Sequence, residues 1–450
     1  MEESAAGTTD NGYVASEPLL ARRLRWAGRG AWAIADQGLF AVSNFAMNIL
    51  LARWLTPTEY GAFAVAYSVF LLYGTFYTAL LIEPMLIFGS AKYEGSFVSY
   101  MWVLLRGHWL ISGVGGVLLG AAGGVVWLAG SPDVGVALMA LAPVAPCVLL
   151  TWLTRRACFS QLQPHLAAIA GMIYLVLMLG GLAVLSHYQA LSVPDALAVM
   201  GVSSLVAGVW LIRRIVSHGR ADREGGSVTM RGVREDHWGY GRWALATSVI
   251  SWLPSNLLLV AMSGFTGLAG SAAFKAMLNL VMPLLQSLSA LAILLLPTLV
   301  RVRGRPAFRK LSLFALALFV GGAVAYWLAL GAFAEPLVNV LYKGRYHDTA
   351  ELLWVIGLLP ISAAIIAVLS TMLRAIERPD QIFWAYVVSA IVTATVGIAA
   401  LARWDLLGAA VGQLAASLAT TISLVVIVWL RGRGRGTTAS SANAAASPAP

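Results

Sequence analysis

Polar side chains inside long apolar stretches are the residues of this sequence that could do chemistry. Four of them lie in the first stretch: Asp36, Gln37, Asn44 and Asn48. Asn44 follows the first two by eight and seven residues, and Asn48 follows Asn44 by four, so all four share one face of a helix. Such a face could form hydrogen bonds with a neighbouring helix, or it could line a hydrophilic cavity. The ionisable Asp36 favours the cavity, because a charge at the bilayer centre costs about 2.5–3.5 kcal/mol on insertion scales.

Lys275 is the strongest single candidate for a binding residue. It lies about seven residues inside its apolar stretch, and Asn279 follows one helical turn later. A lysine that only extends to the membrane interface would lie closer to the end of the stretch. In a wet cavity Lys275 could attract an anionic group, whereas the alternative is a structural ion pair with Asp36. Asn256, after Pro254, indicates another polar-lined helix that is broken at the proline.

Two further charged residues lie near the ends of the second and third apolar stretches. They are Glu83, beside Pro84, and Arg106. These side chains could pair with each other, reach the membrane interface, or take part in gating or coupling. The sequence alone leaves all three interpretations open.

Motifs for catalysis are absent from the sequence. It contains no Gly-rich phosphate loop, no HExxH metal motif and no nucleophile elbow. Cys147 and Cys158 lie in or beside one apolar stretch and offer no metal-ligand spacing. The longest predicted external loop, 331–347, is short for a membrane glycosyltransferase or polymerase. We therefore expect a protein that is not an enzyme and that uses no cofactor or metal.

The composition is that of a polytopic integral membrane protein. Hydrophobic residues make up 59% of the chain and charged residues only 11%, and the mean hydropathy is +0.80. A net charge of +10 could suggest nucleic-acid binding. The basic residues are instead distributed over alternate loops, as membrane topology requires, so no nucleic-acid partner is expected.

Twelve apolar segments are each long enough to cross the ~30 Å hydrocarbon core as a helix. Polar turns separate the segments along the chain. The segments are predicted at 31–52, 61–86, 98–128, 134–154, 165–186, 195–217, 240–262, 269–299, 310–334, 348–373, 380–402 and 406–430.

A basic stretch at 213–242 divides these segments into two sets of six. It holds seven arginines, so the positive-inside rule assigns it to the cytoplasm together with both termini. This orientation leaves 24 of the 30 Lys+Arg on the cytoplasmic side, including Arg155 and Arg156 in a loop at 155–164. The predicted domains are a cytoplasmic tail 1–30, a six-helix bundle 31–217, a cytoplasmic connector 218–239, a second bundle 240–430 and a disordered tail 431–450.

Several runs of the sequence resemble polysaccharide-export flippases of the Wzx type, in the MOP superfamily that also contains the MATE transporters. The similarity extends over nearly all of 31–430, although each run is short and hydrophobic. The runs are LLARWLTPTEYGAFAVAYSVF (Leu50–Phe70), AGSAAFKAMLNLVMPLLQ (Ala269–Gln286), LVNVLYKGRYHDTAELLWVIGLLP (Leu337–Pro360), LRAIERPD (Leu373–Asp380) and LLGAAVGQLAAS (Leu406–Ser417).

The resemblance implies a fold and a substrate. The expected fold is an all-α integral membrane protein of about 12 transmembrane helices, in two parallel-repeat six-helix bundles that form a V around a central cavity. The implied activity moves undecaprenyl-diphosphate-linked oligosaccharide across the bacterial cytoplasmic (inner) membrane by alternating access. In related flippases cavity cations receive the diphosphate, and the matching candidates are Lys275 and, more weakly, Arg53 at the outer mouth. Few other basic residues lie within the predicted spans, which is a departure from cation-rich relatives.

The resemblance leaves other partners and functions open. A flippase of this kind could work with a polysaccharide polymerase and with chain-length and export components. The polar face of the first span could serve the sugar hydroxyls or a coupling cation. The competing functions are a MATE-like cation-coupled drug exporter, for which Asp36 is the one clear buried acid, and a membrane polymerase or ligase.

Overall fold

The computed structural model describes residues 19–218, 228–376 and 378–445, and these residues are helical, with no strand among them. Short connections and two π-helical turns, Thr78–Ile82 and Thr393–Gly397, join the α-helices. The α-helices are α1 (Leu19–Trp54), α2 (Pro57–Tyr77), α3 (Glu83–Phe88), α4 (Phe97–Leu128), α5 (Pro132–Ser160), α6 (Pro164–His187), α7 (Val193–His218), α8 (Met230–Phe265), α9 (Gly267–Arg301), α10 (Pro306–Ala332), α11 (Ala334–Tyr342), α12 (Leu353–Ile356), α13 (Leu359–Ala375), α14 (Pro379–Val392) and α15 (Ile398–Ala445).

The described helices agree with the predicted number of membrane crossings. Ten helical stretches are long and apolar enough to span a bilayer, and α8 adds a pair of segments that bend by 47° beside Pro254. One of the ten, Asp380–Leu430, has 51 residues. A straight helix of that length would measure roughly 75 Å, far more than one crossing requires.

That last stretch is a hairpin. Trp404 and Asp405 have non-helical backbone angles, and Asp405 has φ 48°. On either side the chain folds back on itself, since Ser389 Oγ donates to the Ala416 carbonyl at 2.8 Å. The stretch therefore makes two crossings, and the predicted twelve spans are all present among the described residues.

The turn between α1 and α2 is specified locally by its sequence. Thr56 Oγ1 accepts a hydrogen bond from the Glu59 amide at 3.3 Å, and Glu59 Oε2 accepts one from the Thr56 amide at 2.9 Å. This reciprocal capping box, with Pro57 in the first helical turn, satisfies amides that a helix start leaves unpaired. It fixes where α2 begins and therefore which face of α2 meets the second half of the chain.

Two regions differ in detail from the sequence prediction. Residues 230–239 of the predicted connector form the first turns of α8, because Thr229 caps that helix by accepting from the Gly232 amide at 3.2 Å. Residues 219–227 of the connector and 1–18 of the N-terminal tail lie outside the described residues. At the other end α15 continues through most of the predicted disordered tail, as far as Ala445. Extending an existing helix costs less than starting one.

Candidate functional site

A cavity of about 460 Å³ lies between the two halves of the chain. The first half contributes residues of α1, α2 and α5 to its wall, and the second half contributes residues of α8 and α9. Seven of the residues singled out from the sequence line this one space: Asp36, Gln37, Asn44, Asn48, Asn256, Lys275 and Asn279. Contact of these side chains with a substrate stays a prediction.

Asp36 is fully buried, and its charge is paired within the first half. Arg155 Nε and Nη2 both donate to Asp36 Oδ1, at 3.1 and 2.8 Å, and Gln37 Nε2 donates to Oδ2 at 3.1 Å. The Arg155 guanidinium also lies 4.6 Å from the centre of the Phe40 ring. The alternative ion pair between Asp36 and Lys275 is therefore not formed, because Arg155 already compensates the buried carboxylate.

The prediction that Arg155 and Arg156 lie in a cytoplasmic loop is wrong. Helix α5 runs on to Ser160, so these residues lie on its last turns and line the cavity. Arg155 is buried, whereas Arg156 is exposed and lies 5.9 Å from the Phe159 ring centre. The positive-inside rule counts basic residues near helix ends as loop residues, so it gave no signal that these two face inward.

Lys275 is the cavity cation of the second half. It is half-buried on α9, one turn before Asn279. Its ammonium group forms no hydrogen bond or ion pair with any residue that the structure describes. An unpaired ammonium in a cavity wall is free to meet an anion that enters the cavity.

Aromatic side chains form part of the first-half wall, and the sequence analysis missed them. Phe40, Tyr67 and Trp152 are half-buried and line the cavity, and the same three residues border a smaller pocket beside it. Aromatic residues within an apolar span do not stand out from their neighbours in hydropathy. Only the three-dimensional packing distinguishes the cavity-facing rings from those in the core or in lipid.

One end of the cavity is closed by contacts between the halves. Asn279 Nδ2 of α9 donates to the Tyr60 hydroxyl of α2 at 2.7 Å, and that hydroxyl lies 3.5 Å from Asn48 Oδ1 of α1. Nearby, Gly61 packs so closely on α9 that a methyl group in its place would overlap the Leu268 carbonyl. The predicted topology assigns this closed end to the outside of the membrane. In this conformation Asn48 and Asn279 belong to the closure as well as to the cavity wall.

Three other predicted site residues lie away from the cavity. Arg53 is half-buried in the last turn of α1, Glu83 is half-buried at the start of α3, and Arg106 is exposed on α4. Glu83 and Arg106 do not form an ion pair with each other in the described chain. A different arginine joins the two halves at the closed end: Arg345 Nη1 of the second half donates to the Leu55 carbonyl of the first half.

Solved structures of transporters are similar to this chain in fold. A multidrug resistance MATE family transporter of the MOP superfamily, inward-facing, is 13% identical and aligns with 91% of this chain and 99% of its own at a TM-score of 0.74. The lipid II flippase MurJ, in an inward closed conformation, is 14% identical over 88% of this chain and 87% of its own, with a TM-score of 0.71. An outward-facing MATE transporter gives a TM-score of 0.67 at 13% identity over 91% and 94% of the two chains.

The chain has the fold of MOP-superfamily transporters. No protein-family model and no curated protein sequence matches it, so the similarity is one of fold. The predicted fold class, two helical bundles arranged as a V around a central cavity, is confirmed. The protein is therefore a multi-pass membrane protein with a MOP fold.

Proposed function

We propose that this MOP-fold protein is a flippase that moves undecaprenyl-diphosphate-linked oligosaccharide across the cytoplasmic membrane. Such a substrate combines a diphosphate, a sugar chain and a polyprenyl tail. A cavity between two halves can enclose the polar head while the tail stays in the bilayer. The proposal requires the two halves to expose the cavity alternately to each side of the membrane.

The charge balance of the cavity carries the proposal. Three cations line the cavity, namely Arg155, Arg156 and Lys275, and Asp36 is the single acid among its described lining residues. Arg155 neutralises Asp36, which leaves Arg156 and Lys275 as an excess of positive charge. An excess of two positive charges favours a dianionic head group over a cationic ligand.

The same observation argues against the MATE-like alternative. A cation-coupled exporter of cationic drugs needs an accessible carboxylate in its cavity. Asp36 is 0% exposed and accepts two hydrogen bonds from Arg155. The likeness in fold to a MATE transporter and to a lipid II flippase is nearly equal, so fold similarity does not separate the two functions.

The proposal extends to the setting in which the protein works. We infer a location in the bacterial inner membrane, where undecaprenyl-linked sugars are assembled for exopolysaccharide, O-antigen or capsule. A polysaccharide polymerase and chain-length or export components would consume the flipped repeat unit.

Lys275 gives the direct test of the proposal. Lys275→Ala should abolish export of the polymer while protein level and insertion are kept, because the substitution removes a half-buried charge without unpairing another group. Lys275→Arg should retain part of the activity, since an ammonium acts here as a point charge. Export is measured as surface polysaccharide in a host that lacks its own flippase.

Lys310→Ala is the matched control, because Lys310 is exposed on α10 and lies outside the cavity. It should leave export unchanged. Normal export by a stable Lys275→Ala protein would contradict the assigned role of this lysine.

A further inference from the structure

Three polar groups in the first-half wall form no hydrogen bond with the described residues. They are the hydroxyl of Tyr67, the indole N–H of Trp152 and the side-chain amide of Asn44. None of them has a hydrogen-bond partner among the described residues, although each lines the cavity. Polar groups inside a membrane protein are normally satisfied by neighbours, so free ones in a cavity point to a ligand or to water.

The rings of Tyr67 and Trp152 belong to a continuous row of packed aromatic side chains. Along α2 and across to α5, successive ring centres lie 5.4 Å apart for Phe63 and Tyr67, 5.6 Å for Tyr67 and Phe70, and 5.9 Å for Phe70 and Trp152. Phe63 and Phe70 are the buried members of this row, whereas Tyr67 and Trp152 are half-buried and line the cavity. Phe40 adds a third ring from α1.

The Trp152 ring is held in position by its neighbours. Gly74 on α2 leaves room for it, since a methyl group on Gly74 would lie 2.8 Å from the Trp152 ring. Phe70 packs against the ring with an interplanar angle of 59°. A ring fixed in this way loses little conformational entropy when a ligand stacks on it.

Aromatic faces beside free amide and hydroxyl groups match the chemistry of a sugar. A pyranose ring has an apolar face of C–H groups and a rim of hydroxyls that donate and accept hydrogen bonds. The negative face of an aromatic ring attracts such C–H groups, and the neighbouring polar groups can bond the rim. Lys275 lies on the second-half wall, whereas these aromatic side chains lie on the first-half wall beside Arg155 and Arg156.

We propose that the first-half wall formed by Phe40, Asn44, Tyr67 and Trp152 is a saccharide subsite. This assignment rests on the proposed function. The subsite binds the sugars next to the lipid while the diphosphate lies against Lys275. The two halves of the protein therefore hold different parts of one substrate. Separation of the halves during transport would release the sugars and the diphosphate from different walls.

Binding to two related lipids tests this assignment. The full-length protein in nanodiscs is titrated with lipid-linked oligosaccharide extracted from its own host and, separately, with bare undecaprenyl diphosphate. The wild type should bind the glycosylated lipid more tightly. Trp152→Leu should remove about tenfold of that preference, the loss expected of one aromatic contact, and leave binding of the bare lipid unchanged.

Other variants separate ring stacking from a general loss of fold. Trp152→Phe should retain most of the preference because it keeps an aromatic face. Gly74→Ala should reduce the preference, since it displaces the Trp152 ring without changing any group that faces the substrate. Trp384→Leu is the control, because Trp384 is exposed on α14 and lies outside the cavity.

The outcomes show separately whether the saccharide subsite or the flippase proposal is wrong. Equal wild-type affinity for the two lipids, or an equal loss of both in Trp152→Leu, would overturn the saccharide subsite while the flippase proposal stood. Failure of the wild type to bind either lipid would overturn the flippase proposal and, with it, the subsite.

Discussion

Asp36 and Arg155 form a buried pair whose two members depend on each other. The carboxylate is 0% exposed, and the side chain of Arg155 is 11% exposed. Taking two charges out of water is costly, and their attraction repays the cost only when both are present with good geometry. The two donated bonds to Asp36 Oδ1 and the Gln37 amide on Oδ2 supply that geometry. At the residue scale this pair is a structural element of the cavity wall.

Removing one partner should destabilise the protein strongly. Asp36→Ala leaves Arg155 unpaired, and breaking a buried pair in this way typically costs about 3–5 kcal/mol. The double variant Asp36→Leu with Arg155→Met should recover most of the loss, since no buried charge remains. Thermal unfolding in detergent measures both effects.

The exposed ion pair of Arg378 and Asp380 is the control for the buried pair of Asp36 and Arg155. Arg378 Nε lies 3.2 Å from Asp380 Oδ1, with 47% and 55% of the two side chains exposed. Asp380→Ala should therefore change stability by no more than about 1 kcal/mol. If the double variant Asp36→Leu with Arg155→Met were as unstable as Asp36→Ala, the two charges would not depend on each other for stability.

At the scale of elements, the first turns of α8 are docked on the first half of the chain. Asp236 accepts hydrogen bonds from Lys92 Nζ at 2.7 Å and from the Tyr93 hydroxyl at 2.6 Å. One residue later, His237 Nδ1 donates to the Leu80 carbonyl at 2.9 Å. These contacts join the first turns of α8 to the chain between α2 and α4, in the first half.

The neutral form of His237 suits this position. Because the Leu80 carbonyl can only accept, Nδ1 carries the proton, and Nε2 accepts from the Tyr100 hydroxyl at 2.6 Å. Burial lowers the pKa of His237, although the Leu80 carbonyl and the nearby Asp236 carboxylate act to raise it. The undocked imidazole therefore binds a proton more readily than the docked one, and docking weakens as the pH falls below the ordinary histidine value.

Hydrogen exchange should detect this weakening. Amides of 230–240 should exchange faster at pH 5.5 than at pH 7.5, after correction for the chemical exchange rate, because protonation of His237 favours the undocked state. The expected acceleration should disappear in His237→Gln. Persistence of the acceleration in that variant would assign it to another group.

Sequence reasoning succeeded where a signal is local and failed where it depends on distant parts of the chain. Hydropathy located the spans, and helical periodicity grouped Asp36 with Asn44 on one face. The partner of Asp36 lies 119 residues away, and no local pattern identifies it. Arg155 was assigned to a loop because a basic residue near a helix end looks the same whether it faces the cytoplasm or a cavity.

The aromatic wall escaped prediction for a related reason. Tyr67 and Trp152 occur in spans that are apolar all round, so hydropathy has no contrast that marks the cavity side. Lys275 was found because a charge deep in a span is expensive and therefore informative. The proposed cationic part of the cavity was thus partly visible in the sequence, whereas the proposed saccharide subsite required the packing of α2 against α5.

For the whole molecule, the proposed alternating access requires the closed end of the cavity to open. The contacts that would have to break include the Tyr60–Asn279 hydrogen bond, the Arg345–Leu55 hydrogen bond and the close packing of Gly61 on Leu268. A glycine is required at this helix crossing, because any side chain would meet the backbone of α9. Closure of this end therefore depends on the absence of a Cβ atom at position 61.

Gly61→Ala should shift the protein towards a state that is open at this end. The methyl group would overlap the Leu268 carbonyl only when the end is closed, so the substitution destabilises the closed state and leaves the open state unaffected.

Labelling of Asn279→Cys measures the shift, since position 279 is only 2% exposed in the closed state. In a background with Cys147→Ala and Cys158→Ala, a membrane-impermeant thiol reagent added outside should label Asn279→Cys faster when Gly61→Ala is present. Gly113→Ala is the matched control, as a methyl group there meets nothing within 4 Å. Equal labelling in the Gly61→Ala and Gly113→Ala proteins would mean that the packing of α2 on α9 does not keep this end of the cavity closed.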